Sequence, residues 1–255
     1  MKTEMLYGIH PVYEVLASRR RNIYAIYLQK DSQSDRIHRL ASLAANRGIP
    51  VKTVGSGYLK GLVGTAGHQG AAARVDPLPL TAVSDLLAAA GAKGGTYFVL
   101  ILDNLLDPQN LGAILRTAVC VGIDGVILPK DRSAPPTPAV SKASAGALEH
   151  IFLSRVTNLV QAIKHCQKSG LWVVGLDKGA EQSLYDGDLT GSIALVLGGE
   201  QKGIRPLVRK NCDFLVSIPQ RGALDSLNVS VAAGVAMYEA LRQRQMNVEC
   251  AKGDG

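Results

Sequence analysis

The sequence has few of the residues that mark disulfide-rich, metal-binding or membrane-spanning proteins. Only four of its 255 residues are cysteine, and none forms a C-x-x-C pair or has a histidine at the spacing of a metal site. No apolar run is long enough to cross a bilayer, and the N-terminus lacks the apolar stretch of a secretion signal. We therefore expect free thiols, no bound metal, no membrane partner and a soluble cytoplasmic protein.

The signatures of nucleotide-dependent and hydrolytic enzymes are also missing. The chain contains no Walker A, H-E-x-x-H or G-x-S-x-G motif. Its glycine-rich stretch from Gly55 to Gly61 has the spacing G-x-G-x-x-x-G, one residue longer than the dinucleotide-binding fingerprint. These absences argue against a nucleotide-dependent oxidoreductase, an alternative that calorimetry with NAD would test.

The composition favours a globular protein with an excess of positive charge. Hydrophobic residues make up 47% of the chain, which is enough for a packed core and argues against a disordered protein. Lys and Arg number 28 against 21 Asp and Glu, which gives a formal net charge of +7. This excess suits a polyanionic partner, although a basic protein without such a partner would have the same composition.

Hydrophobic periodicity divides the chain into two α/β parts. Residues 1–75 alternate short helices and strands and predict a small first domain. Residues 76–95 contain two close prolines and a glycine-rich turn, so we interpret them as a linker. In residues 96–255 apolar strand-like runs alternate with helical patterns. This alternation is typical of a mostly parallel sheet with helices on both faces.

The same patterns predict the individual elements. Helices are expected at residues 11–18, 34–47, 81–90, 111–121, 157–169, 206–210 and 229–244. Strands are expected at residues 23–28, 51–54, 71–75, 97–102, 125–128, 171–176, 193–197 and 214–218. Residues 129–138 are rich in proline and predict a loop.

Three polar segments lie next to predicted strands in the second part. They are Asn110-Leu-Gly-Ala-Ile-Leu-Arg116, Leu197-Gly-Gly-Glu-Gln-Lys-Gly-Ile204 and Ile218-Pro-Gln-Arg-Gly-Ala-Leu-Asp-Ser-Leu-Asn-Val-Ser230. Each brings polar side chains or bare backbone to the point where a strand ends. Because ligands bind outside the carboxyl ends of the strands in an open α/β sheet, we expect the three segments to form one site.

The polar residues of these segments also have structural interpretations. Asn110 is a good cap for the helix that follows it, and either Ser226 or Asn228 would cap the last helix. Arg116 has apolar neighbours in the sequence, and an arginine in such a setting usually has an anionic partner. A plain turn explains the glycines around Glu200, but it does not explain a carboxylate held between them.

The three segments resemble the three sequence motifs of the SpoU (TrmH-like) branch of the SPOUT RNA methyltransferases. The first is similar to N-x-G-x-I-x-R, the second to L-x-x-G-x-E-x-x-G and the third to I-P-x-x-G-x-x-x-S-L-N-V-S. The match spans residues 97 to 245 approximately, with the same order and spacing. The stretches Tyr7-Gly-Ile-His-Pro11 and His68-Gln-Gly70 also resemble the small RNA-binding domain of that family.

The resemblance implies a C-terminal trefoil knot that binds S-adenosylmethionine, a homodimer, and 2′-O-methylation of a guanosine ribose in 23S ribosomal RNA. The residues carried over to the cofactor pocket are Val174, Gly175, Leu197, Gly198, Ile218 and Leu227. The residues carried over to catalysis are Asn110, Arg116, Glu200, Ser226 and Asn228. Apolar side chains would enclose the adenine, and backbone groups would recognise its edge.

The resemblance also implies a role for Arg116. In this family, activation of the ribose hydroxyl is attributed to the arginine at the corresponding position. A guanidinium is a poor base at neutral pH, so the alternative is that Arg116 holds the adjacent phosphate and polarises the hydroxyl through it. The other four catalytic candidates would then orient Arg116 and the ribose. We expect the substitution Arg116→Ala to abolish methyl transfer without preventing cofactor binding.

A basic run in the first domain is a candidate RNA contact. Arg19, Arg20 and Arg21 lie near Tyr24 and Tyr27 in the sequence, so they would meet phosphates while a tyrosine stacks on an unpaired base. The same run is also typical of a solvated surface. Two further functions stay open: 2′-O-methylation of tRNA or of another rRNA nucleotide, and a non-catalytic RNA-binding role in ribosome assembly.

Overall fold

The computed structural model describes residues 2–92, 94–200, 202–223 and 226–253, and these form two compact units. The first unit contains residues 1–79 and 135–150, and the second contains residues 80–134 and 151–255. The strands are β1 (Glu4–Tyr7), β2 (Ile23–Gln29), β3 (Val51–Val54), β4 (Ala71–Val75), β5 (Phe98–Asp103), β6 (Gly125–Pro129), β7 (Leu153–Val156), β8 (Trp172–Leu176), β9 (Ile193–Gly198) and β10 (Phe214–Val216). The α-helices are α1 (Ile9–Ser18), α2 (Asp35–Asn46), α3 (Ser56–Val63), α4 (Val83–Ala92), α5 (Pro108–Val121), α6 (Pro138–Ala143), α7 (Leu159–Lys168), α8 (Pro206–Lys210) and α9 (Val229–Gly253).

The first unit is built on a four-stranded mixed sheet in the order β1-β4-β2-β3. Residues alternate between the two faces of each strand. On one face Ile26, Leu28 and Ala73 pack with apolar residues of α1 and α2. On the other face Tyr27 and Ala72 pack with Leu59 of α3. Both faces are therefore at least partly covered by helices.

Residues 135–150 follow β6 in the sequence but belong to the first unit. Glu149 in this segment is fully buried. Its Oε1 accepts a hydrogen bond from Nη2 of the equally buried Arg21 at 2.7 Å, which forms an ion pair. Arg21 also donates to Glu4 at 2.9 Å and to the carbonyl of Asp76 at 3.3 Å. Burial raises the pKa of Glu149, and the positive charge of Arg21 opposes that rise. The buried ion pair joins two segments that are far apart in the sequence.

Replacing Arg21 with alanine should lower the free energy of unfolding by about 3–5 kcal/mol, because Glu149 would be left buried without its partner. The variant's Glu149 would have a higher pKa in the folded state than in the unfolded state. The loss should therefore be smaller at a pH below the unfolded-state pKa of glutamate, about 4.3, where the carboxyl is protonated in both states, than at neutral pH. Urea unfolding at the two pH values measures this, with Arg19→Ala, an exposed neighbour, as the control. Equal stability of the two variants would contradict the assignment.

The second unit is built on a six-stranded sheet in the order β10-β8-β9-β5-β6-β7, and every recorded strand pair in it is parallel. Its central strands β5 and β9 are buried along nearly their whole length, which explains their continuous apolar sequences. The apolar side chains of one face, among them Ile101 and Val196, pack against α4 and α7. This sheet confirms the predicted α/β class and the predominance of parallel strands.

The long helix α9 is anchored at the amino ends of β5 and β9 by Arg244. The guanidinium donates to the carbonyls of Leu189, Tyr97 and Gly191 at 3.1, 3.0 and 2.6 Å. It also lies over the ring of Phe98, with 4.7 Å between the guanidinium carbon and the ring centroid. Burial lowers the pKa of Arg244. These contacts fix the helix that begins beside the candidate site.

Several elements differ from the sequence-based expectation. The helix predicted at residues 81–90 is present as α4, but its side chains Leu86 and Leu87 are buried in the second unit, so this part of the stretch interpreted as a linker packs into that unit. The loop predicted at 129–138 ends in α6, and the last helix extends to Gly253 rather than residue 244. The sequence patterns also missed β1, α3 and β7.

Candidate functional site

The carboxyl ends of β5, β8, β9 and β10 meet at one edge of the parallel sheet of the second unit. Asp103, the last residue of β5, is paired with Gly198, the last residue of β9. Leu176 at the end of β8 is paired with Leu197 on one side and with Val216 of β10 on the other. Strand order reverses between β5 and β9, and the crevice beside such a reversal is where open α/β sheets bind ligands.

The helix after β5 is capped by Asp107, so the interpretation of Asn110 as its cap is wrong. The carboxylate of Asp107 accepts from the backbone N–H groups of Gln109 and Asn110 at 3.0 and 3.4 Å. Pro108 occupies the first helical position, where its missing N–H costs nothing. Because the cap is supplied three residues earlier, the side chain of Asn110 is free to bind elsewhere.

Asn110 joins the three predicted segments through a chain of side-chain hydrogen bonds. Its Nδ2 donates to Oε1 of Glu200 at 2.6 Å, and its Oδ1 accepts from Nδ2 of Asn228 at 3.2 Å. Asn228 caps α9, because its Oδ1 accepts from the backbone N–H and the hydroxyl of Ser230 at 2.9 and 2.6 Å. We call Asn110, Glu200 and Asn228 the amide–carboxylate cluster.

The direction of every bond in the amide–carboxylate cluster follows from Glu200. Its Oε1 accepts the hydrogen bond, so the amide nitrogen of Asn110 faces it. The amide oxygen of Asn110 then receives the nitrogen of Asn228, and the oxygen of Asn228 turns toward the helix N-terminus. The cluster is thus a single polar chain with one orientation, as a preorganised site requires.

Arg116 and Ser226 lie outside the amide–carboxylate cluster. Arg116 follows Asn110 by six residues on α5, which places its side chain about 120° around the helix and about 9 Å along it. It is exposed and, within the described residues, makes no hydrogen bond or ion pair, so the anionic partner expected from its apolar neighbours is not found there. Those neighbours, including Ile114 and Leu115, are buried on the other side of the helix. Ser226 is also exposed, and Asn228 rather than Ser226 caps α9.

The end of the loop that carries Glu200 is fixed by hydrogen bonds to Asp103, a residue that the sequence patterns missed. Asp103 is fully buried, and its two oxygens accept from the backbone N–H and from Nε of Arg205 at 2.9 and 2.7 Å. Two glycines of this loop also pack directly against backbone atoms, one against Asn104 and the other against Gly203. A Cβ on Gly199 would lie 2.0 Å from the carbonyl oxygen of Asn104, and one on Gly198 would lie 2.0 Å from the carbonyl carbon of Gly203.

Replacing Asp103 with asparagine should lower the free energy of unfolding by about 1–3 kcal/mol, because one of its two acceptors would become a donor facing another donor. We also expect weaker binding of S-adenosylmethionine, the cofactor that the sequence resemblance implies. Urea unfolding measures the loss of stability, and calorimetry with S-adenosylmethionine measures the loss of binding. Asp131→Asn, a change at an exposed carboxylate in the same unit, is the control and should behave like the wild type.

The six residues predicted to line a cofactor pocket differ in exposure. Val174 and Leu197 are buried in the sheet, and the space above the α-carbon of Gly175 is filled by Leu215 and Cys212. The three others, Gly198, Ile218 and Leu227, are half-buried or exposed at the strand ends. Leu176, which was not predicted, is half-buried between them at the end of β8. Leu176, Ile218 and Leu227 therefore supply accessible apolar surface at this edge.

The basic run predicted to contact RNA is only partly available. Arg21 is buried against Glu149, and Tyr27 is 6% exposed, so neither can meet a ligand as expected. Arg19 is exposed. Arg20 donates to the carbonyl of Glu149 at 3.3 Å, and Tyr24 donates its hydroxyl to Asp76 at 2.7 Å.

The described residues hold no cluster of three or more side chains suited to a metal ion. Cys120, Cys166 and Cys212 are free thiols, and burial raises the pKa of Cys166 and of Cys212 to about 12. None of the helices in the described ranges is both long enough and apolar enough to span a membrane.

A surface cavity of about 380 Å³ lies at the opposite, amino end of β5, beside Tyr97 and His165, away from the amide–carboxylate cluster. Gln201, Leu224 and Asp225 of the predicted segments fall outside the described residues.

Comparison with protein families gives two matches along the chain. Residues 97–238 match the model of the SpoU rRNA methylase family. The chain belongs to this family. Residues 5–81 match a second model, described as RNA 2′-O ribose methyltransferase substrate binding. Membership confirms the predicted family and the predicted enzyme class, an RNA 2′-O-methyltransferase.

Individual relatives cover almost the whole chain. A protein of Xanthomonas axonopodis pv. citri named 23S rRNA (guanosine-2′-O-)-methyltransferase RlmB is 42% identical over 95% of this chain and 98% of its own. A TrmH-family protein of Porphyromonas gingivalis is 26% identical, with a TM-score of 0.73 over 94% of this chain and 90% of its own. An AdoMet-bound rRNA methyltransferase of Sinorhizobium meliloti, 24% identical, shares the fold with a TM-score of 0.78 over 94% and 87% of the two chains.

Proposed function

We propose that the protein methylates the 2′-hydroxyl of a guanosine in 23S rRNA with S-adenosylmethionine as the methyl donor. The observation that carries this proposal is the amide–carboxylate cluster, which brings the three motifs of the family together at one sheet edge. The named activity of a relative that is 42% identical over nearly the full length supports the substrate. A cytoplasmic location follows from that substrate.

The residues at the strand ends fit S-adenosylmethionine. Leu176 and Ile218 are half-buried and Leu227 is 42% exposed, so three apolar side chains present surface that no described residue covers completely. Such surface suits the faces of an adenine ring, and the backbone of Gly198 offers polar groups without a side chain in the way. We infer that these four residues hold the cofactor. Of the other predicted contacts, Val174, Gly175 and Leu197 would act through their backbone.

The chain's own residues supply positioning and charge. S-adenosylmethionine brings a methyl group that is already activated for transfer, so alignment of the acceptor accounts for much of the acceleration. Arg116 is exposed and has no described partner, so its guanidinium is available for the phosphate next to the target ribose. From there it would polarise the 2′-hydroxyl as the proton leaves. Asn110, Glu200, Ser226 and Asn228 would orient the ribose.

We infer that the second unit contains the trefoil knot typical of the family. The close crossing of Gly199 over Asn104 and the pairing of Gly199 with Gly203 support it, because they pull the loop after β9 tightly around the chain after β5. The chain after the loop continues into β10 at the sheet edge and then into α9. Tracing the chain in an experimental structure tests the knot.

We also infer a homodimer, formed in part by α9. Val231 and Tyr238 on this helix are 51% and 54% exposed, and Val235 lies half-buried between them at helical spacing. An apolar stripe on a helix that starts at the site suits contact with a second copy of the chain. Tyr238→Glu should therefore shift the protein from dimer to monomer in light scattering, whereas Tyr185→Glu, at a similarly exposed tyrosine, should not. A wild-type monomer would contradict the inference.

The predicted domain roles stay part of the proposal. We assign RNA binding to residues 1–75 and methyl transfer to residues 96–255, with residues 76–95 between them. The distribution of charge supports this division. The first unit has twelve Lys and Arg against six Asp and Glu, so it holds six of the seven net positive charges of the chain. A surface with this excess attracts the RNA backbone.

Transfer of a labelled methyl group in vitro tests the function. The purified protein would be incubated with methyl-labelled S-adenosylmethionine and, separately, with unmodified 23S rRNA, 16S rRNA or tRNA. We expect label only in 23S rRNA, and 2′-O-methylguanosine after digestion to nucleosides. Label in tRNA or in another nucleoside would replace the proposed substrate, and absence of transfer to every RNA would favour the non-catalytic alternative.

A further inference from the structure

The sheet of the first unit has a second surface rich in tyrosine and positive charge, distinct from the basic run at residues 19–21. It lies on the side opposite α1 and α2, where Tyr27 and Ala25 of β2 face α3. Lys52 is paired in register with Tyr27, and Arg74 is paired with Ala25, so both cations project from this same face. We call Lys52, Tyr58 and Arg74 the tyrosine surface.

Tyr58 is the aromatic centre of this surface. It stands on α3 and is 56% exposed, whereas the next residue, Leu59, is fully buried and anchors the helix. Its ring centroid lies 6.4 Å from that of Tyr27, with 36° between the ring planes. Tyr27 is 6% exposed, so Tyr58 rests on a fixed aromatic support and leaves a large part of its ring open to solvent.

Two cations, Lys52 and Arg74, flank the tyrosines. Nζ of Lys52 lies 5.8 Å from the centroid of Tyr27, and the guanidinium carbon of Arg74 lies 5.7 Å from that of Tyr24. In the part of the chain that the structure describes, neither cation forms an ion pair, and both are exposed. The carboxylate of Asp76, which contacts Tyr24, is engaged by the hydroxyl of Tyr24 and by Nδ2 of Asn22.

This combination of groups fits one class of ligand. An exposed ring offers a stacking platform, and flanking cations pair with a polyanionic backbone. Unstacked bases of single-stranded RNA present the flat faces that a tyrosine can stack on, whereas a duplex keeps its bases stacked inside. A protein partner would require a larger apolar patch than one tyrosine supplies. The location within the more positive unit adds long-range attraction for RNA.

We propose that the tyrosine surface binds an unpaired segment of the RNA substrate, with a base stacked on Tyr58 and phosphates paired with Lys52 and Arg74. This inference rests on the proposed function and specifies where the substrate is held. It replaces the predicted contact through Arg21 and Tyr27, which are buried. Tyr58 is then a binding residue that affects capture of the RNA and leaves the chemical step unchanged.

Binding of a short fluorescein-labelled single-stranded RNA to the full-length protein tests the surface by fluorescence anisotropy. Tyr58→Ala should weaken binding by about 5- to 100-fold, which corresponds to the loss of one stacked base, and Tyr58→Phe should retain it. Binding of a duplex of equal length should change little. Tyr13→Ala is the control, since Tyr13 is 46% exposed on α1, at the other face of the sheet. Equal affinity of Tyr58→Ala and wild type for the single strand would overturn the proposal.

Salt dependence provides a second test that does not rely on Tyr58. Lys52→Ala and Arg74→Ala should each reduce the slope of log affinity against log salt concentration by about 0.7, because each removes one phosphate contact. If Tyr58→Ala lowers the melting temperature, these two variants decide the outcome. Unchanged slopes in both variants would contradict the proposal.

Methyl-transfer kinetics separate this surface from the proposed function. With 23S rRNA as substrate, Tyr58→Ala should raise KM and leave kcat unchanged. If the wild type is active and Tyr58→Ala has an unchanged KM, the proposed RNA-binding role of the tyrosine surface is refuted and the proposed function still stands. No transfer by the wild type to any RNA, together with RNA binding that depends on Tyr58, would refute the function and leave the surface intact.

Discussion

Replacing Arg116 with alanine should abolish methyl transfer, with kcat reduced by at least about a hundred- to a thousandfold. Losses of this size follow the removal of one group that stabilises charge developing at the reacting atoms. Arg116 is exposed and makes no hydrogen bond or ion pair with the described residues, so its removal should leave the fold and cofactor binding intact. Single-turnover transfer to 23S rRNA and calorimetry with S-adenosylmethionine measure the two effects.

Two matched variants sharpen this test of Arg116. Arg116→Lys keeps the charge but loses the planar fork that binds a phosphate through two bonds, so we expect only partial activity. Cys120→Ala changes another exposed residue one turn further along α5 and should retain full activity. Unchanged turnover in Arg116→Ala would refute the assigned role. Loss of cofactor binding in the same variant would show that Arg116 acts before the chemical step.

Replacing Gly199 with alanine should cost about 3 kcal/mol or more of folding free energy. A Cβ at this position would lie 2.0 Å from the carbonyl oxygen of Asn104, and neither backbone can move without disturbing β5 or β9. Overpacking of a core typically costs about 1–3 kcal/mol, and here the obstacle is backbone rather than a flexible side chain. Gly198→Ala should behave similarly, since its Cβ would overlap Gly203.

Gly191→Ala is the matched control for the effect of Gly199. A Cβ on Gly191 would have no neighbour within 4 Å, although the residue lies at the start of the same strand region. Urea unfolding should therefore give this control a stability close to that of the wild type. If Gly199→Ala unfolds at the same urea concentration as the control, the tight crossing of the loop over Asn104 is not present in solution.

The strands and long helices of the second unit were predictable because the residues that they bury form apolar patterns within short stretches of sequence. The apolar runs of β5 and β9 reflect a sheet covered on both faces, and Asn110, Glu200 and Asn228 each lie close to an element boundary. Parallel topology then brings such boundaries together at one edge. This is why the sequence anticipated that the three residues converge, which the structure shows.

The missed features depend on partners that are distant in the sequence. The short strand β1 contains a charged residue and gains its stability by pairing with β4. Arg21 resembles its neighbours in the basic run, but its burial depends on Glu149, which lies 128 residues away. The role of Asp103 depends on Arg205 in the same way. A polar residue at the end of an apolar strand was the available signal for Asp103, although nothing local identified its partner.

Mapping of 2′-O-methylation across ribosomal and transfer RNA tests the central claim most directly. RNA would be compared from cells without this protein and from the same cells supplied with the wild-type or the Arg116→Ala chain. We expect one guanosine of 23S rRNA to lose its methyl group in the first cells and to regain it only with the wild-type chain. An unchanged methylation map, or restoration by the Arg116→Ala chain, would contradict the account.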